Sequence, residues 1–142
     1  METRELKFSD GLVQFSVNDG KAVVTFNPTD SAFVEKLFNA FDTLDQRQER
    51  YKAEADKIAD KREIFSIARN QDAEMREIMD GVFDKPISSD VFGTMNVYAM
   101  ADGLPVWCNF LLAVMDEVDG TFAREQKATN PRVQKYTAKY KR

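Results

Sequence analysis

The chain of 142 residues contains no histidine. Histidine is the usual general base near neutral pH and the commonest metal ligand. Its absence excludes Ser-His and Cys-His nucleophilic pairs and zinc sites of the usual Cys/His kinds. Catalysis by carboxylates or lysine alone stays open. The single cysteine, Cys108, excludes an internal disulfide and fits a reducing compartment. Proline and glycine are scarce, and neither occurs from Thr29 to Asp80, so nothing local forces a break there. No apolar run is long enough to span a bilayer. No basic segment followed by an apolar core and a small-residue cleavage site opens the chain, so no secretory signal is expected. Neither a G-x-G-x-x-G nor a G-x-x-x-x-G-K-[ST] loop is present, so no nucleotide cofactor is expected.

Apolar residues make up 43% and charged residues 31%, the balance of an ordered soluble domain. The length suits one domain with a real core. The net charge of −4 hides an asymmetry. From Arg124 onward there are seven basic residues against one acid, Glu125, so this stretch carries +6 and the rest of the chain −10. An acidic body bears a basic tail.

The stretch "LKFSDGLVQFSVNDGKAVVTF", Leu6 to Phe26, holds Asp-Gly twice between alternating apolar residues. Asp-Gly is a strong signal for a two-residue hairpin turn, because both central residues take positive φ. A turn at Asp19-Gly20 sets Val17 opposite Ala22, Phe15 opposite Val24 and Val13 opposite Phe26. A turn at Asp10-Gly11 sets Phe8 opposite Val13 and Leu6 opposite Phe15. Both registers put the same apolar set on one face, and Lys7, Gln14, Ser16 and Thr25 on the other. The spacing predicts a three-stranded antiparallel β-meander packed on a mainly α-helical body, an α+β fold.

"NPTDSAFVEKLFNAF" predicts a helix behind Pro28, capped by Thr29 or Asp30, with an apolar stripe at Phe33, Val34, Leu37, Phe38, Phe41 and Leu44. The stripe thins between Asp45 and Glu63, which fits either a solvated helical stalk or a fold-back near Gln46 to Tyr51. It resumes at Ile64, Phe65, Ile67, Ala68, Met75, Ile78, Met79 and Val82, with Gly81 as a closing residue. Ser88, Ser89 or Asp90 caps a short turn through Val91 and Phe92. A further helix starts near Asp102 with Pro105 in its first turn. Its apolar face is Val106, Trp107, Phe110, Leu111, Val114, Met115 and Val118. The expected domain is 1–123, with strands over about 5–26 and helices over about 30–81 and 104–119. Residues 124–142 read as a weakly ordered basic tail.

The acids from Asp42 to Asp60 alternate with Lys and Arg, the pattern of a solvated helix. Asp116, Glu117 and Asp119 lack calcium-loop spacing, and no metal site is expected. Tyr136 and Tyr140 lie among basic residues, an arrangement that can bind nucleic acid. The short tail and the acidic body argue against a nucleic-acid partner.

Three stretches, "VTFNPTDSAFVEKLFNAF", "IMDGVFDKPISSDVFGTMN" and "DGLPVWCNFLLAVMDEVD", cover about half the chain. Together they resemble tail assembly chaperones of long-tailed bacteriophages and of prophages in Gram-positive bacteria. The resemblance implies a non-enzymatic protein of the host bacterial cytoplasm. Such a protein binds the tape measure protein, keeps that apolar helical chain from aggregating, and helps recruit tail tube subunits. The basic tail is not something the resemblance requires. A phage accessory protein that binds a host factor, for example a modulator of host defence, is the alternative.

Leu112 and Ala113 widen the apolar arc of the helix after Pro105 beyond what a surface helix needs. That predicts a protein-binding surface of Val91, Phe92, Trp107, Leu112 and Ala113, for a client or for self-assembly. No membrane partner is expected.

Overall fold

The structure, a computed structural model, describes residues 1–57, 60–128 and 131–140. The side chains of Leu44, Tyr136 and Tyr140, named above, lie outside the described set. The fold is mixed α and β, with helix predominating.

Strands β1 (Val13–Val17) and β2 (Ala22–Phe26) pair antiparallel with Val13 opposite Phe26, Phe15 opposite Val24 and Val17 opposite Ala22. The register is the expected one. The turn is wider than two residues: Asn18, Asp19 and Gly20 all have positive φ, and the Lys21 amide donates to the Val17 carbonyl at 3.0 Å. Ala22, Val24 and Phe26 are buried, and Phe15 and Val17 are partly buried.

The third strand of the expected meander does not form. Residues 1–12 are exposed and carry no strand. Asp10 spends its groups elsewhere. Its carboxylate accepts from the Leu12 amide at 3.0 Å and its carbonyl from the Asn27 side-chain amide at 2.9 Å. Gly11 has φ +74°, but Asp10 is not in the left-handed region. A type I′ reversal needs both residues there.

The helical stretch expected over about 30–81, either a continuous stalk or a fold-back, is a helical hairpin. Helix α1 (Ser31–Asp56) starts at Asp30, whose carboxylate accepts from the Ala32 amide at 3.0 Å. Helix α2 (Lys61–Phe83) starts at Asp60, which caps the Arg62 amide in the same way at 2.9 Å. The fold-back therefore lies after Asp56, later than Gln46 to Tyr51, and Ile58 lies outside the described residues. Asp60 gives the chain a helix start that glycine or proline did not have to supply. Lys36 pairs with Asp84 at 2.8 Å and Arg47 with Glu74 at 2.6 Å, two contacts that share one antiparallel register. Gly81 is inside α2. The helix closes at Asp84, whose φ is +54° and whose amide donates to the Asp80 carbonyl.

Helix α3 (Ile87–Phe92) and strands β3 (Met100–Ala101) and β4 (Leu104–Pro105) follow. Ala101 faces Leu104 across Asp102 and Gly103, which have φ +53° and +81°. Asp102 is thus a turn residue and not a helix cap. Helix α4 (Val106–Lys127) starts directly after Pro105 and runs past residue 119. Arg124 and Lys127 complement the dipole of its last turn. The expected weakly ordered tail contains a helix, α5 (Arg132–Tyr140), rich in good helix formers behind Pro131. No helix among the described residues is long and apolar enough to cross a membrane.

The core is threaded by phenylalanine rings. Phe26 stacks on Phe15 at 4.6 Å and on Phe33 at 4.8 Å, and meets Phe83 edge-on at 5.9 Å. Phe83 continues to Phe110, and Phe110 to Phe92. Hairpin, α1, α2, α4 and α3 are joined through contacts favoured by ring quadrupoles.

Polar residues on α2 hold the segment between α3 and β3. Asp72, Arg76 and Asp80 recur every four residues and share a face. Arg76 pairs with Asp72 at 3.0 Å and donates to the carbonyls of Gly93 at 2.8 Å and Met95 at 2.7 Å. Asp72 also accepts from the Val97 amide at 2.8 Å. Asp80 accepts from the amide and hydroxyl of buried Ser88.

Glu74, between Asp72 and Arg76 on α2, accepts from the Tyr51 hydroxyl and from Arg47. The Tyr51 hydrogen bond, with the Arg47 charge behind it, holds the Glu74 carboxyl below its ordinary value of 4.5. Burial pushes the Tyr51 hydroxyl up. A carboxylate with a lowered pKa stabilises the fold fully above its unfolded value and loses that contribution as pH falls through the folded one. Wild type should therefore melt above Glu74→Gln at neutral pH, and the gap should narrow as pH falls below the ordinary carboxylate range and through the lowered Glu74 value. Thermal melts of both chains across this range check it, and a gap that persists at low pH contradicts it.

Candidate functional site

Helix α4 reads as neighbouring doublets: Val106-Trp107, Phe110-Leu111, Ala113-Val114 and Glu117-Val118. The second members, at i, i+4, i+7 and i+11, are all buried. The first members form a parallel stripe one position round the helix. That stripe is one wall of a groove of about 440 Å³. The facing walls are Phe15, Val17 and Val24 of the hairpin, with Val91 and Phe92 of α3. Asn18, Lys21, Asn109 and Glu117 also line it. The site is an apolar trough with polar lining residues, of the kind that takes a peptide segment.

The five residues expected to form a binding surface divide four ways. Ala113 is exposed and lines the groove. Val91 and Phe92 line it too, but at 5% and 7% exposure they are core residues showing one face. Trp107 is 3% exposed and packs edge-on to Tyr98, so it is unavailable on the free surface. It borders a second cavity of about 420 Å³ with Cys108 and with Phe38, Asn39, Phe41 and Asp42 of α1. Leu112 is 40% exposed and lines neither cavity. The alternation on α4 signalled apolar excess without saying which residues look outward, because the hairpin that decides it is distant in sequence. Phe15, Val17, Val106 and Phe110, which the sequence pattern places on apolar faces without marking them as a binding surface, are wall residues too. The doublets were the available signal.

Leu112→Asp should leave the helical circular dichroism and the melting temperature near wild type, since the side chain is substantially in water. Unfolding by this change would place Leu112 in the core.

Among the described residues no group of three or more His, Cys, Asp and Glu side chains is placed to hold a metal ion. Comparison with protein-family models, with curated proteins and with solved structures returns no match.

Proposed function

We propose that this chain is a non-enzymatic phage tail assembly chaperone whose groove between the hairpin and α4 takes an apolar segment of the tape measure protein. The observation that carries the reading is the groove itself. It is lined by Phe15, Val17, Val24, Phe92, Phe110 and Ala113, aromatic and aliphatic groups with no catalytic constellation among them. An apolar segment laid there removes both surfaces from water, worth about 25 cal/mol per Å² before ordering costs. The acidic body would keep the complex dispersed by charge repulsion. The three sequence stretches that resemble the chaperones support the choice of client, and the same resemblance supplies recruitment of tail tube subunits.

Co-expression with a tape measure protein tests this reading. The client is expected to stay in the supernatant and to copurify in a fixed ratio. A client that aggregates equally with and without this chain contradicts it.

A further inference from the structure

We infer that the N-terminal arm of a second copy of this chain docks on the β1 edge, placing Leu6 and Phe8 over the groove, so that two copies exchange arms. Two features of one molecule are left incomplete in a matching way. The hairpin has only two strands, and β1 has no strand on its outer side among the described residues. A bare strand edge is a template for pairing. Residues Leu6 and Phe8 alternate with polar ones in a strand pattern, yet are 93% and 82% exposed. Side chains of that size gain free energy by leaving water.

The register follows from the sequence. Leu6 opposite Phe15 and Phe8 opposite Val13 puts both arm residues on the side of the sheet that bears Phe15 and Val17, which is the groove side. Within one chain this pairing is blocked. The arm would have to reverse at Asp10-Gly11, with Asp10 entering the left-handed region, while Asp10 is held by Asn27 at 2.9 Å and by the Leu12 amide at 3.0 Å. An arm arriving from a partner copy needs no reversal and can leave those bonds intact. Exchange of an identical element uses the same contacts in trans, and reciprocal exchange closes a two-fold dimer with no arm left over. Groove occupancy by the arm and by an apolar client segment would then exclude one another. The inference rests on the groove's geometry and is independent of the client's identity.

The test uses the full chain and the double variant Leu6→Asp/Phe8→Asp, whose sites are in water and so should not disturb folding. Sedimentation equilibrium of the wild type should give twice the chain mass of 16.3 kDa as concentration rises. The variant should stay at the chain mass with an unchanged circular dichroism spectrum. Hydrogen exchange should show β1 amides that point away from β2 protected in the wild-type dimer and unprotected in the variant. A wild type that stays monomeric overturns the inference, whether its arm amides are protected by closing on their own edge or exchange freely. A variant that still dimerises, or a dimer whose β1 amides match those of the variant, overturns it as well.

Discussion

Phe26→Ala is expected to cost about 4 kcal/mol and to lower the melting temperature by more than about 10 °C. Phe26 is 4% exposed and sits where three rings meet: Phe15 across the hairpin, Phe33 on α1 and Phe83 on α2. Truncation removes a large buried side chain and leaves a cavity that three separate elements would have to close together. Domains of this size are typically stable by about 5–15 kcal/mol, so a substantial share of the margin would go. Phe26→Leu retains much of the volume without the ring contacts and should cost roughly half as much. Equilibrium denaturation in urea checks both. A loss below about 1 kcal/mol for the alanine variant would mean that the hairpin does not pack on the helices as described.

Arg76→Ala is expected to cost about 2–3 kcal/mol. Its side chain is 18% exposed and pairs with Asp72, whose side chain is 22% exposed. The same group ties the Gly93 and Met95 carbonyls to α2. Lysine should recover only part of the loss, because one ammonium cannot reproduce the planar fork. Asp72→Asn keeps an acceptor for the Val97 amide and removes the charge, so its cost should fall between zero and that of Arg76→Ala. Arg76→Ala should also speed hydrogen exchange from Gly93 to Val97 before it affects α1. Equal acceleration everywhere would show that Arg76 supports the whole fold and not this segment.

Asp-Gly shows how far local chemistry reaches. The dipeptide occurs five times. At Asp102-Gly103 it makes a two-residue hairpin turn, and at Asp19-Gly20 it lies in a wider one. At Asp10-Gly11 it makes no hairpin, and the Asp10 carboxylate accepts from the Leu12 amide instead. At Asp80-Gly81 and Asp119-Gly120 it lies inside helices. The β1–β2 register was legible because alternation and turn agreed. The missing third strand was not, because Asn27, seventeen residues away, takes the Asp10 carbonyl.

The helix stripes were legible in the same sense. Leu37, Met75, Met79 and Leu111 are almost fully buried. Phe38 was not distinguishable from its neighbours on α1 and is 63% exposed. The four-residue spacing of Asp72, Arg76 and Asp80 was visible, but their partners are backbone groups of an irregular segment that periodicity does not describe. The groove was half legible. Its α4 wall is written in doublets, while its hairpin wall depends on tertiary packing.

The most direct test of the groove as the binding site compares two neighbouring changes on α4 against a tape measure fragment. Ala113→Lys fills the groove, and its ammonium can reach Glu117 four residues on, so the helix is kept. Leu112→Asp changes the adjacent exposed position outside the groove. Titration calorimetry should show at least about tenfold weaker binding for Ala113→Lys and little change for Leu112→Asp, with both chains folded by circular dichroism. Equal affinity of wild type and Ala113→Lys, or a loss confined to Leu112→Asp, would contradict the account.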